Sequence, residues 1–225
     1  MADHMQDEAD LEALKRWWDE NGKGLVAAVV VAVLGTVGWQ QYQGFSASKA
    51  EAASDVYASM LAIQLEGGDT EPLQALAAQL KDEYGGSSYA RFGAMLEARI
   101  AVEAGDLAAA ESALRWSLSA GDTRSDIGQL IQLRLARVLA AQGKEPEALA
   151  ILAQGSEAYP VAFAQAEGDI HLAAGRTDEA LTAYRDGRDL AAELGQYSAV
   201  LDNKVRTLET RLPASPGIVT PEDAS

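Results

Sequence analysis

One uncharged stretch near the N-terminus limits what this chain can fold into. Gly24–Trp39 reads GLVAAVVVAVLGTVGW, and no charged side chain follows it until Lys49. About 20 apolar residues in a helix suffice to cross a ~30 Å hydrocarbon core, and a helix satisfies its own backbone hydrogen bonds there. Amphipathic aromatic rings, which favour a membrane interface, flank the stretch at both ends: Trp17, Trp18, Trp39 and Tyr42. The sequence therefore predicts a single transmembrane helix over residues 24–43.

The apolar stretch has two other interpretations. Basic residues before it and the small residues Ser46–Ser48 after it fit a cleaved signal peptide, but the stretch and its leader are long for one. A buried helix of a soluble protein is the third interpretation, and sixteen apolar or small residues in a row without a polar face argue against it. We therefore favour a retained membrane anchor.

Basic residues near the stretch predict its orientation. Lys15, Arg16 and Lys23 precede it, whereas only Lys49 follows within the next forty residues. Because cytoplasmic flanks carry the excess of Lys and Arg, residues 1–23 should be cytoplasmic and the bulk of the chain translocated. In a bacterium this gives a single-pass inner-membrane protein whose C-terminal domain is periplasmic. We expect residues 1–10 to be a flexible acidic leader and Asp7–Asn21 to form a short amphipathic helix, which Asn21-Gly22 breaks or bends before the span.

Small residues line one face of the predicted membrane helix. Ala28, Ala32, Gly35 and Trp39 recur at i, i+4, i+7 and i+11. Small side chains let a second helix approach closely, and packing drives helix association in lipid. The face therefore favours docking on a partner membrane helix, although Gly and Ala are also simply common in such helices.

Composition excludes several classes of function. The chain of 225 residues has a net charge of −16, and residues 44–225 hold 15 basic and 27 acidic side chains. Such acidity repels nucleic acid and anionic lipid, so neither is expected as a partner. There is no cysteine, which excludes disulfides and thiolate chemistry, and only two histidines are present. We expect no cofactor and no metal.

The rest of the chain repeats itself around turn glycines. Three segments align: AGDLAAAESAL at Gly105, QGKEPEALAIL at Gly143 and AGRTDEALTAY at Gly175. These glycines are 38 and 32 residues apart, which brackets the 34-residue period of tetratricopeptide (TPR) repeats. Other positions agree in all three segments. A small residue stands seven before the glycine, alanine five after it and a large apolar residue nine after it: Ala98, Ala110 and Leu114; Ala136, Ala148 and Leu152; Gly168, Ala180 and Tyr184.

These offsets predict an all-α fold over residues 44–212. It is a TPR-like α-solenoid of three to four helix hairpins plus a capping helix. Ser46–Tyr84 resembles a degenerate fourth hairpin turning at Gly67-Gly68, and Ala120–Ser125 should be a longer loop. Pro160 should end a helix pair, a last helix should cover Leu190–Leu212, and residues 213–225, with three prolines, should be a disordered tail. A generic helical bundle is the alternative.

The sequence gives no support for an enzyme. It contains no P-loop, dinucleotide-binding or HExxH motif, and a Ser/His/Asp triad built on His171 lacks any local sign of its serine. Binding is the better prediction, because stacked hairpins form a concave surface lined by their first helices. Basic side chains on those helices predict a groove for a carboxylate or an acidic segment: Arg91, Arg99, Arg134, Arg137 and His171. The alternative is that Arg99, Arg134 and Arg137 only pair with neighbouring acids or with helix C-termini.

Two regions of the sequence resemble one bacterial family. LKRWWDENGKGL from Leu14, the apolar run and GWQQY are similar to the start of the YfgM-like proteins, which are ancillary subunits of the Sec translocon. QLRLARVLAAQGKEPEAL from Gln132 and GDIHLAAGRTDEALTAYRDG from Gly168 are similar to that family's later repeats. The resemblance covers Leu14 to about Leu212.

This resemblance implies a non-enzymatic role in protein export. It implies binding to the Sec translocon channel and to a membrane-anchored periplasmic chaperone of prolyl-isomerase type. It also implies help in passing newly exported, unfolded proteins to chaperones. A TPR scaffold of another inner-membrane complex, in envelope assembly or division, is the alternative function.

Overall fold

The structure is a computed structural model that describes residues 2–67 and 70–211. This part of the chain forms nine helices and no strand, which confirms the predicted all-α fold. The helices are α1 Ala2–Leu65, α2 Thr70–Tyr84, α3 Ser88–Glu103, α4 Leu107–Ser119, α5 Asp126–Ala141, α6 Glu145–Leu152, α7 Pro160–Ala173, α8 Thr177–Glu193 and α9 Ala199–Arg211. The predicted disordered tail, residues 213–225, lies outside the described residues.

The chain divides into two units, Met1–Ala52 and Ala53–Ser225, and α1 contributes to both. In the first unit the apolar side chains of α1 are exposed, as Val31 and Leu34 illustrate at 69% and 66%. Among the described helices, α1 alone is long and apolar enough to cross a membrane. A buried core helix would hide these side chains from solvent, so that interpretation is wrong.

The predicted break at Asn21-Gly22 is also wrong, because α1 runs without interruption from Ala2 to Leu65. The indole of Trp18 covers Gly22, and a Cβ added there would lie 3.1 Å from the ring. Asn21 Nδ2 donates to the carbonyl oxygen of Trp17 at 3.0 Å, so its side chain bonds back to its own helix. One glycine costs a helix only about 1 kcal/mol, which the long flanking helical segments outweigh.

The second unit consists of hairpins with one recurring turn. Gly105, Gly143 and Gly175 have φ of 79°, 78° and 78°, a left-handed conformation that glycine adopts without steric cost. The amide following each glycine donates to the carbonyl oxygen five residues earlier, at 2.8, 2.9 and 2.9 Å. This hydrogen bond caps the end of the first helix of each pair. The predicted turn positions of the three repeats are therefore confirmed.

The predicted small and large positions form the interior of these hairpins. All nine side-chain positions of the three repeats are buried. Eight of them lie in two apolar clusters, one that joins α3, α4, α5, α6 and α7 and a second that joins α8 to α9. The ninth, Gly168, packs against the ring of Tyr184. Small residues where paired helices cross allow close approach, and the large residues fill the space between neighbouring pairs.

The first hairpin departs from this pattern. The end of α1 packs with α2 and α3 through Met60, Leu80 and Leu96, among others. Here the left-handed turn residue is Gly67, with φ of 68°, and Met60 occupies the position where the other repeats have a small residue. Gly93 of α3 makes room for Leu80 beside Met60, since an added Cβ would lie only 2.6 Å from Leu80 Cδ1 and 3.5 Å from Met60 Sδ.

The last helices differ in their bounds from the prediction. Helix α8 continues to Glu193, and the chain turns at Gly195, with φ of 66°, before α9 begins at Ala199. The expected helix start at Leu190 is thus wrong. Pro160 begins α7 instead of ending a pair, because proline suits a first helical turn. Leu201, Val205 and Leu208 of α9 pack on α8 and close the solenoid, as predicted for a capping helix.

Candidate partner-binding groove

The first helices of successive hairpins lie side by side in the second unit. The ring of Tyr57 on α1 lies 6.0 Å from the ring of Phe92 on α3. Farther along, residues of α3 and α5 line one open groove of about 360 Å³. Phe92, Met95 and Arg99 follow one another on α3 at i, i+3 and i+7, and therefore share a face of that helix. The aromatic contact and the groove thus belong to one surface.

The groove has an apolar floor and a charged rim. Its floor comes from α3, α4 and α5: Met95, Ala98, Val102, Leu107, Leu114, Val138 and Ala141. Its polar side chains are Arg99, Glu103, Arg134 and Arg137. Three of the five arginine and histidine residues predicted to line a groove are therefore brought together here.

The rim arginines differ in their partners. Arg99 Nε donates to Glu103 Oε1 at 2.8 Å, and both side chains are more than half exposed, so this ion pair contributes little stability. Arg134 and Arg137 are exposed on α5, and no carboxylate of the described residues lies within 4.0 Å of either. Their positions at i and i+3 place both guanidinium groups on one face. The groove therefore presents two cations that do not pair within this part of the chain.

Arg91 does not line the groove, contrary to the prediction. It is buried, and its Nε donates to the carbonyl oxygen of Ser117 at 3.1 Å. Its guanidinium also packs against Gly121, and Ser117 Oγ returns a hydrogen bond to the Arg91 carbonyl at 3.0 Å. The side chain thereby fastens the end of α4 and the following loop to α3. Its role is in holding the fold.

His171 lies on α7 and outside the groove. Its Nδ1 accepts a hydrogen bond from Arg176 Nε at 3.0 Å, and its Nε2 is 3.8 Å from a carboxylate oxygen of Glu167. Arg176 also pairs with Glu145 at the start of α6. His171 therefore belongs to a polar contact between consecutive hairpins. Among the described residues, no group of three His, Asp or Glu side chains is placed to hold a metal ion.

The small-residue face of the apolar segment is open. Ala28, Ala32, Gly35 and Trp39 are all exposed, and a Cβ added at Gly35 would meet no atom within 4 Å. Val30 and Val37 lie on the opposite side of the helix and are half exposed. Both faces of this segment are thus open, and the ring of Trp39 lies 6.2 Å from that of Tyr42 on the same helix.

One cluster escaped the sequence analysis. The rings of Tyr57, Tyr89 and Phe92 lie 6.0 to 6.3 Å from one another and are each only partly buried. Such spacing favours aromatic packing. The sequence does place Tyr89 and Phe92 at i and i+3 on one helix, which indicates an aromatic pair. The contact with Tyr57 depends on how the hairpins stack, and no local pattern indicates it.

Comparison with known proteins identifies the family. The model of a tetratricopeptide repeat-like domain matches residues 15–210. Proteins named ancillary SecYEG translocon subunit match from Neisseria gonorrhoeae, at 30% identity over 82% of this chain and 88% of that protein, and from Aggregatibacter actinomycetemcomitans, at 31% over 87% and 95%. The chain belongs to the family of ancillary SecYEG translocon subunits. A protein of that name from Haemophilus influenzae is 29% identical over 88% of this chain and 97% of its own length.

Membership of this family confirms the resemblance in the N-terminal segment and the repeats. The matched range begins just before the apolar segment of α1 and ends within α9, so the family match includes both the apolar helix and the solenoid. Together with the apolar helix, it identifies a membrane-associated protein with a Sec-associated role. No solved structure matches the chain significantly.

Proposed function

We propose that this protein is a non-enzymatic ancillary subunit of the Sec translocon. It binds the channel and a periplasmic chaperone of prolyl-isomerase type, and it assists the hand-over of newly exported proteins. The observation that carries this proposal is the family match, which spans apolar helix and solenoid together. The exposed apolar helix and the open groove supply two separate surfaces for two partners.

The proposed topology places residues 1–23 in the cytoplasm, residues 24–43 in the inner membrane and residues 44–212 in the periplasm. The cations Lys15, Arg16 and Lys23 before the span support this orientation. Alkaline phosphatase fused after Arg211 should be active, and an N-terminal tag should remain on the mature protein. An inactive fusion would overturn the orientation, and loss of the tag would indicate a cleaved signal peptide.

The apolar helix is proposed to dock on a membrane helix of the channel through Ala28, Ala32 and Gly35. Close backbone approach at small residues strengthens packing in lipid, where no hydrophobic driving force between helices operates. Larger side chains on this face would hold the two helices apart. The same enlargement on the opposite face, at Val30 and Val37, should leave the contact unchanged.

Co-purification from native membranes tests both the proposed partners and the proposed contact through the membrane helix. The tagged full-length chain, solubilised in mild detergent, should recover the channel subunits and a periplasmic chaperone. The double variant Ala28→Leu with Gly35→Leu should no longer recover the channel subunits. The variant Val30→Leu with Val37→Leu should still recover them. Recovery of an envelope-assembly or division complex without channel subunits would favour the scaffold alternative and overturn the translocon assignment.

A further inference from the structure

We infer that the groove between α3 and α5 binds a polypeptide segment in which an acidic side chain stands next to a bulky apolar one. This inference rests on the proposed partner-binding function and names the chemistry of the bound segment. It follows from the combination, in one groove, of an apolar floor with a rim of three arginines and one glutamate, of which Glu103 already pairs with Arg99. Neither feature alone would define the ligand.

The floor is built to receive an apolar side chain. Val102 is 44% exposed in the groove, and Met95, Leu114 and Val138 lie beside it as parts of the interior. The volume of about 360 Å³ falls within the ~300–1,000 Å³ range of ligand pockets. A large apolar side chain entering here removes its own surface and that of Val102 from water, which is favourable in proportion to the area buried.

The rim is built to receive a carboxylate. Arg134 and Arg137 stand on the α5 side, and Arg99 faces them from α3. A guanidinium binds a carboxylate through two parallel N–H···O hydrogen bonds, which are stronger than neutral ones. Beside an apolar floor the local dielectric is lower than in bulk water, so the attraction is stronger than at an open surface. The α5 pair can form these bonds without first breaking an ion pair among the described residues.

The charge of the surrounding domain limits how acidic the segment is. Residues 44–225 hold 27 acidic and 15 basic side chains, so the carboxylates of a long acidic stretch that extend past the arginines would be repelled by the excess of acidic side chains on the domain. One or two carboxylates within reach of the arginines gain the local attraction and experience little of that repulsion, since charges beyond the ~8 Å Debye length are screened. A short acidic-apolar motif therefore fits this site better than an acidic tract.

Peptide binding to the full-length protein in nanodiscs tests the inference. The probe is a fluorescent capped peptide with one Asp beside a Phe, and its two controls replace Asp by Asn or Phe by Ala. Each control should bind at least about ten-fold more weakly, by fluorescence anisotropy. The double variant Arg134→Ala with Arg137→Ala should weaken binding of the Asp peptide by a similar factor and leave binding of the Asn peptide unchanged. The control is Arg188→Ala on α8, outside the groove, where the side chain is 40% exposed and pairs with Asp189. It should change the binding of neither peptide.

Two outcomes would overturn the inference. One is equal binding of the Asp and Asn peptides, and the other is equal binding by the wild type and the double arginine variant. Co-purification of the channel distinguishes a failure of this inference from a failure of the proposed function, because binding of the channel depends on the membrane helix and not on the groove. A protein that retains the channel yet shows no preference for the Asp-Phe peptide would retain the proposed function and lose this inference.

Discussion

Gly168 of α7 lies directly against the aromatic ring of Tyr184 on α8, with no room for a methyl group between them. The two residues are the small and large members of the repeat signature in the last hairpin. Tyr184 is fully buried, and its hydroxyl donates to Asp169 Oδ1 at 2.7 Å. The contact therefore fixes the distance between the two helices and also the position of a buried hydroxyl.

Gly168→Ala should destabilise the solenoid. The new methyl group would overlap ring atoms of Tyr184, and overpacking of this kind typically costs about 1–3 kcal/mol. Urea unfolding followed by circular dichroism measures the loss. Gly86→Ala is the matched control, since an added Cβ there meets nothing within 4 Å. Equal stability of the two variants would contradict the packing described here.

Arg91→Lys should also destabilise the fold, although it keeps the charge. Lysine cannot reproduce the guanidinium hydrogen bonds to the carbonyl oxygens of Ser117 and Asp122. A buried polar group left without its partner costs about 1–3 kcal/mol. The urea midpoint should fall, whereas Arg188→Lys, at a side chain that is 40% exposed, should leave it nearly unchanged. If Arg91→Lys matched that control, Arg91 would have no structural role.

Stability should depend on pH through Glu111. Its carboxylate accepts from Lys144 Nζ at 2.6 Å and from Arg115 Nε at 2.7 Å. Lys144 first and Arg115 second lower the pKa of Glu111 from 4.5 to about 2. Because the folded pKa lies below the unfolded one, this contribution is present above about pH 4.5 and is lost as the pH falls toward 2.

The comparison of Glu111→Gln with the wild type measures this contribution. The variant should be less stable at neutral pH and should lose less stability between about pH 5 and about pH 2. Unfolding midpoints across that range give the two slopes. Glu193→Gln, at the exposed end of α8, should retain the wild-type slope. Parallel curves for Glu111→Gln and the wild type would show that the three-residue contact does not form.

Leu201→Ala should release the capping helix. Leu201 is fully buried against α8, and truncating such a residue costs about 2–5 kcal/mol. Hydrogen exchange should show loss of protection first in α9 and α8. Its neighbour Val200 is 54% exposed, so Val200→Ala should leave exchange unchanged. Uniform loss of protection across all hairpins would contradict a separable cap.

The turns and interior of the repeats could be predicted because each depends on a local rule. Glycine adopts the left-handed turn at Gly105, Gly143 and Gly175, and small residues stand where two helices cross. The same local reasoning failed at Gly22, where Trp18 covers the glycine and the helix continues. A glycine signals a turn only where neighbouring residues do not stabilise the helix.

The groove could be predicted only in part. Arg99, Arg134 and Arg137 share it because first helices of neighbouring hairpins lie together, which the repeat pattern implies. Arg91 is buried because residues 26 and 31 positions later fold back over it, and no local pattern shows that contact. The partner-binding role of the groove stays a prediction.

Site-specific photo-crosslinking in cells tests most directly whether this groove holds a partner during export. A photoreactive residue replaces Val102, which is 44% exposed in the groove, or Val200, which is 54% exposed on α9 outside it. Position 102 should crosslink to a periplasmic chaperone or a newly exported chain, and position 200 should not. Crosslinks from position 200 but not from position 102, in stably folded protein, would contradict the account.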